Sequence, residues 1–436
     1  MAVRSRATAR HAHLRKVGAQ LTTNSLRAPR PDAGSALLAE PTGLAARADA
    51  FARLRPPPDE LALLHARVAH RFGRPEPRRR ALAYLRGLGS LRGDRNGVAL
   101  ASAAGETRPD GMQRLLTAAG WDADLVRDDL LGYVRERYAH ASAALVVDEV
   151  VLPGRGPSFA GSTPRYAESG RVESCQVAVM AAYHTPAQAV LVDRELCLPS
   201  PWDTDRRLRR AAGIPDEHHR HTGWELAGEI VDRSLRRLPV RWVVLGAAFG
   251  PDDRLRTWLA RREVAFVAPV GPGTVLGTTA GRRITAAGLP TLVGDLRWAA
   301  VGAAGASWPG DWSGWATPAG PRPPRPGVGA DGGERWAQLR IRPARDGRWE
   351  HRLLLRAAAG GATGVRYYAC HVPRGTTLDE LVDASRRGGA VQRGVSRARA
   401  TVGLDAYRVR SWTGWYRHAT LALLADAAAA AHRPAA

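Results

Sequence analysis

Ala144-Leu145-Val146-Val147 is a short apolar run that stops abruptly at two acids, Asp148 and Glu149. Contiguous β-prone residues flanked by polar chain predict a buried strand rather than an alternating one. A carboxylate at the tip of such a strand sits where apolar cover ends, and there it can hold a metal ion or a reactive group. Side chains alternate along an extended strand, so Glu149 leaves by the face opposite to Asp148.

Other groups offer less. His218, His219 and His221 lie near Asp216 and Glu217, but their spacing is irregular, in a loop after Pro215, and fits a solvated polar loop better than a ligand set. Cys175, Cys197 and Cys370 are far apart and form no CxxC pair, which predicts buried thiols in a reducing cytoplasm. No Gly-x-Ser-x-Gly elbow supports a hydrolase triad. Trp412, Trp415 and Tyr416 alternate with Arg408, Arg410 and Arg417. Such a string can stack on bases and clamp phosphates, or it can bury its rings while the arginines reach outward. Both readings stay open at this point.

The whole chain bounds the choice. Its 436 residues exceed what one ordinary core supports, and 44% hydrophobic content is normal for a globular protein. The net charge is +23, and Lys16 is the one lysine among 64 basic residues. Abundant Arg, Ala and Gly reflect in part a GC-rich coding bias, yet such charge still favours a polyanionic partner. No apolar run is long enough to span a bilayer and no basic amphipathic anchor is evident, so no membrane partner is expected. The N-terminus has no acid before Asp32 and no apolar core, which argues against a secretory signal.

Taken in order, residues 1–57 read as a basic flexible arm ending in Pro56-Pro57-Pro58. Residues 58–140 read as a helical DNA-binding region, with apolar steps of three and four from Leu61 to Leu88 around Arg78-Arg79-Arg80. Gly97–Leu116 has the outline of a helix-turn-helix whose second helix bears Gln113 and Arg114, although plain helical packing explains it equally well. A further helix is expected from Asp122 to Tyr138. Residues 141–270 change to strands: 145–149, 172–183 and 189–193, then a helix, strand 240–246, a helix and strand 264–270. Three antiparallel strands followed by helix, strand, helix, strand is the element order of a ribonuclease-H-like α/β domain. Residues 271–362 read as a β-rich, Gly/Pro/Trp-rich insertion with an exposed loop at 318–333, and 363–436 as completion of the core with C-terminal helices. Gly271–Gly277 is too loose to be a nucleotide loop.

Several stretches together resemble the bacterial insertion-sequence DDE transposases that carry a Tyr-Arg-Glu-Lys signature. They are Pro75-Glu-Pro-Arg-Arg-Arg-Ala-Leu-Ala-Tyr-Leu-Arg-Gly-Leu88, Pro109–Leu116, Val146-Val-Asp-Glu149, Gly170–Val177, Arg210-Ala-Ala-Gly-Ile-Pro215, and Gly403-Leu-Asp-Ala-Tyr-Arg-Val-Arg-Ser-Trp-Thr-Gly-Trp-Tyr-Arg-His418. The resemblance implies cut-and-paste chemistry on double-stranded DNA: three acids hold two Mg²⁺ or Mn²⁺ ions that activate water or a 3′ hydroxyl for attack on phosphorus. It places the first acid at Asp148. It places the second within Leu245-Gly246-Ala247-Ala248-Phe249-Gly250, where Gly246 stands at the aspartate position. Counting back from Gly403, it puts Gln392 at the glutamate, Arg399 at the basic residue, and Gly388 and Gly389 at the signature arginine and its tryptophan neighbour. On this reading Asp148 is the surviving catalytic and metal-binding acid, able to hold an ion only weakly, and the chain is a decayed or domesticated transposase.

Glu149, Asp252, Asp253, Glu380 and Asp383 are the substitutes to weigh. Arg78, Arg79, Arg80, Gln113, Arg114, Arg399, Arg410, Trp415 and Arg417 are the expected DNA contacts, and a homodimer is admitted. Two rivals stay open: an active transposase with substitute acids, and a pseudogene product without a stable fold.

Overall fold

The computed structural model describes residues 58–154, 159–166, 172–218, 221–250, 252–279, 282–293, 296, 298–300, 334–343, 347–357, 365–406 and 410–431. The expected arm at 1–57, the loop at 318–333, His219 and Arg408 lie outside them.

Helices come first. They are α1 (Pro58–Val68), α2 (Pro75–Ser90), α3 (Gly97–Ala103), α4 (Asp110–Thr117) and α5 (Ala123–Tyr138). Their starts are written locally. Pro75 opens α2, where its missing N–H costs nothing, while the side chains of Asn96 and Asp122 accept backbone N–H groups at the heads of α3 and α5.

Strands β1 (Ala144–Pro153), β2 (Ser162–Tyr166), β3 (Val172–His184) and β4 (Ala189–Leu196) follow. Then come α6 (Arg206–Ala212), α7 (Gly223–Leu235), β5 (Trp242–Leu245), α8 (Asp253–Arg261) and β6 (Phe266–Val270). β3 pairs antiparallel with β1 and β4, β5 runs parallel to β1, and β6 runs parallel to β5. The order β4-β3-β1-β5-β6 is the expected ribonuclease-H-like core. β2, a short strand on the first residues of β3, is not among the strands expected from the sequence.

The stretch expected as a β-rich insertion widens the sheet of the core. After β7 (Val275–Thr279), β8 (Arg282–Thr285), α9 (Leu289–Val293) and β9 (Ala299–Ala300) come β10 (Arg335–Pro343), β11 (Trp349–Ala357) and β12 (Val365–Pro373). β12 pairs with β6, and β11, β10 and β9 follow in turn, giving a ten-stranded mixed sheet; β7 and β8 pair separately. The free edge of β6 would otherwise expose unpaired N–H and C=O groups, and the meander covers it. The chain closes with α10 (Leu378–Arg386), a 3₁₀ turn at Arg387–Gly389, α11 (Ala390–Val402) and α12 (Trp412–Ala430). The glycine pair marks the break between α10 and α11.

α12 is buried along almost its whole length. It lies between β4 and α11 on one side and α1, α2, α4 and α5 on the other, so helices and sheet share one apolar core. The segments expected at 58–140, 141–270, 271–362 and 363–436 all fall within one compact unit, Ala46–Ala436. No helix among the described residues is long and apolar enough to cross a membrane.

Candidate active site

Asp148 stands past the last β1–β5 pair, Val147 with Leu245, and is 8% exposed. Its Oδ1 accepts the Glu149 backbone N–H at 2.9 Å and its Oδ2 accepts Gln392 Nε2 at 3.1 Å. Burial pushes its pKa up, and those two hydrogen bonds offset part of the rise.

Gly246 follows β5 directly and donates its N–H to Val147 O at 2.7 Å. A Cβ added there would lie 1.7 Å from Asp148 Oδ1 and 2.6 Å from Asp148 Cβ. The tip of β5 has closed onto β1, and the Asp148 side chain fills the space that a side chain at 246 would need. The turn continues with Phe249 N–H on Gly246 O, and buried Phe249 packs toward the head of α7.

β5 ends at Leu245, so the side of β1 facing it is bare beyond Val147. α11 covers that edge. Gln392 Nε2 donates to Glu149 O at 2.9 Å, and Arg399 Nη2 donates to Val151 O at 2.5 Å while its Nε pairs with Asp405 at 3.0 Å. Asp148, Gly246 and Gln392 are thus brought together from three distant parts of the chain, as one closed, internally satisfied cluster.

Four of the five substitute acids are engaged elsewhere, and Asp253 is exposed in the first turn of α8. Glu149 faces Arg165 at 3.6 Å. Asp252 caps α8 and pairs with Arg254 at 2.7 Å. Glu380 caps α10 and takes Arg241, and Asp383 takes Arg387. His218 packs on Trp412, with ring centroids 4.5 Å apart, and His221 faces Glu229 at 3.6 Å. Among the described residues no group of three or more His, Cys, Asp or Glu side chains could hold a metal ion.

The family model described as "DDE superfamily endonuclease" matches residues 67–312, more than half of the chain. The chain belongs to the DDE superfamily endonucleases. No curated protein matches it. Among solved structures, a piggyBac transposase synaptic complex with hairpin DNA is similar at 12% identity and a TM-score of 0.37, covering 83% of this chain and 64% of that one. The chain therefore spans less than two thirds of that protein's length.

Endonucleases of this superfamily depend on divalent metal ions, which need several anionic oxygens free to coordinate. Here Asp148 is the one carboxylate at the site, both its oxygens already accept hydrogen bonds, and an amide and a glycine stand beside it. The donor set does not fit a two-ion centre.

The expected DNA contacts divide. Arg78, Arg79 and Arg410 are exposed, as are Gln113 and Arg114 on α4, whose other face buries Met112, Leu115 and Leu116. Trp415 and Arg417 are corrections to the sequence reading. Trp415 is 6% exposed, and Arg417, 8% exposed, donates to Trp121 O at 2.7 Å with its guanidinium 5.1 Å from the Trp121 ring centroid. They join α12 to the helical layer and are not open to DNA. Arg80 is also tied down, by Glu76 and Glu106. Arg399 serves the β1 edge.

Sequence reading missed the buried charges at the end of β4. Arg233 pairs with Asp193 at 2.5 Å and also with Glu195, whose other oxygen accepts the Tyr416 hydroxyl at 2.7 Å. Asp193-Arg194-Glu195 closing an apolar strand was the available signal.

Proposed function

We propose that this DDE-superfamily protein is a transposase of the bacterial insertion-sequence Tyr-Arg-Glu-Lys group that binds double-stranded DNA with its strand-transfer chemistry impaired. The observation that carries this is the closed tip of β5: the position of the second acid is a glycine with no room for a Cβ beside Asp148. Gln392, at the position of the third acid, gives Asp148 an N–H where metal chemistry needs another carboxylate. Mg²⁺ or Mn²⁺ held by Asp148 alone would be bound weakly. DNA binding draws its support from the +23 charge and from the exposed arginines on α2 and α4.

Purified protein is titrated with labelled duplex DNA across a salt series, and incubated with the same duplex and Mn²⁺ beside Asp148→Ala. Expected are an affinity that falls steeply with salt and equal, background cleavage by both proteins. Mn²⁺-dependent cleavage that Asp148→Ala abolishes would establish the rival reading, a working transposase. A homodimer on DNA is tested by sedimentation with and without duplex.

A further inference from the structure

The helical layer segregates its charges. On the side of α1 and α5, arginines meet carboxylates: Arg67 with Glu136, Arg71 with Asp129, and Arg137 with Glu60. On the side of α2 and α4, among the described residues, only Arg80 does. Between Arg74 and Arg114 the sequence holds nine arginines and four acids. Arg79, Arg86, Arg108 and Arg114 are exposed there, with no ion pair among the described residues.

Arg79 and Arg86 lie seven residues apart on α2, two turns or about 10.5 Å along one stripe. Half-buried Leu82 and Ala83 lie between them, and small Gly89 and Ser90 follow. A DNA backbone can approach such a stripe closely.

Two of the four acids are withheld from this face by one residue. Arg80 Nε donates to Glu106 at 2.9 Å, and its Nη1 pairs with Glu76 one turn back on α2. The space for this clamp is made by Gly111 on α4. A Cβ there would lie 2.4 Å from Arg80 Nε and 2.5 Å from Glu106 Oε2.

We propose that α2 and α4 form a phosphate-binding face for duplex DNA carried by Arg79, Arg86 and Arg114, and that Arg80 is a positioning residue that keeps Glu76 and Glu106 from opposing it. This rests on the DNA-binding reading above and names its surface. A phosphate contact releases counterions, so each lost contact lowers the steepness of log affinity against log salt by about 0.9.

The test is a salt titration of a labelled duplex of arbitrary sequence, with circular dichroism melts of every variant. Arg79→Gln and Arg86→Gln should each lose about 0.9 of slope with an unchanged melt. Arg80→Gln should weaken binding, and adding Glu76→Gln and Glu106→Gln to it should restore the wild-type slope. A deficit of about 0.9 that persists in that triple variant makes Arg80 a direct contact and overturns its positioning role. Wild-type slopes in both Arg79→Gln and Arg86→Gln, in a protein that still binds DNA salt-dependently, overturn this surface alone. Absence of salt-dependent binding by the wild-type protein overturns the DNA-binding reading itself.

Discussion

Replacing Gly246 by alanine should destabilise the protein out of proportion to one methyl group. The added Cβ meets Asp148 Oδ1 at 1.7 Å, Cγ at 1.9 Å and Cβ at 2.6 Å. Turning the Asp148 side chain would relieve the first two contacts, at the expense of its hydrogen bonds from the Glu149 N–H and Gln392. The Cβ–Cβ contact survives any rotation and demands that β5 move away from β1, against the 2.7 Å bond from Gly246 N to Val147 O. Overpacking of this kind costs about 1–3 kcal/mol, and losing a hydrogen bond to a charged group adds about as much, so a loss of about 2–6 kcal/mol is expected. Urea denaturation followed by tryptophan fluorescence measures it as a lower midpoint at constant slope. The decisive comparison is a double-mutant cycle with Asp148→Gly, which removes the opposing Cβ. In that background Gly246→Ala should cost under about 0.5 kcal/mol, leaving most of the penalty as coupling. An equal cost in both backgrounds, or a neutral Gly246→Ala, would refute the closed-tip geometry.

Gln392→Glu puts a second carboxylate near 3.1 Å from that of Asp148, whose pKa burial already raises. Carboxyls with raised folded pKa values add stability as pH falls through them, so this variant should lose stability relative to wild type toward about pH 8 and recover it toward about pH 5 in paired thermal melts. His418 is fully buried against Tyr84 and Leu404 O, and burial pushes its pKa down from 6.5 to about 4. The unfolded chain then binds the proton first, so wild-type stability should decline as pH falls from 6.5 to about 4, and the decline should be shallower in His418→Gln. Arg417→Met should lower the melting temperature and leave the salt slope of DNA binding unchanged. Arg410→Gln should do the reverse, losing about 0.9 of slope at an unchanged melting temperature.

Much of the core was legible because its signals are local. Leu145–Val147 reads as a buried strand from three contiguous β-prone residues, and Asp122 reads as a helix start and is one. Gln392, singled out by counting back from Gly403, lies beside Asp148. What was not legible depends on which way a side chain faces after packing. The alternation of aromatics and arginines from Arg410 to Arg417 is the same string whether it meets DNA or Trp121. The decisive clue lay downstream, in the nearly uncharged run Ala419–Ala430, because a helix apolar all round must be enclosed and so carries Trp415 and Arg417 inward with it. Nor does anything in Val365–Pro373 say that the partner of this strand is β6, nearly a hundred residues earlier.

The closure of the site follows from the same physics that would have kept it open. Carboxylates at 148, 246 and 392 would repel one another, and the elements bearing them would be held apart by cations and their waters. A glycine at 246 removes both the repulsion and the bulk, so the tip of β5 is free to settle on β1. An amide at 392 then has two acceptors within reach, Asp148 Oδ2 and Glu149 O, where a glutamate would have opposed both. Arg399, seven residues on, meets the next outward carbonyl of the same bare edge at Val151. Each of these residues thereby constrains what the others can become. Placing aspartate at 246 alone meets Asp148 at its Cβ, and placing glutamate at 392 alone strands two carboxylates together without a cation. A second acid beside Asp148 therefore requires β1 and β5 to separate first, and the Gly246→Ala cycle measures the cost of that separation directly.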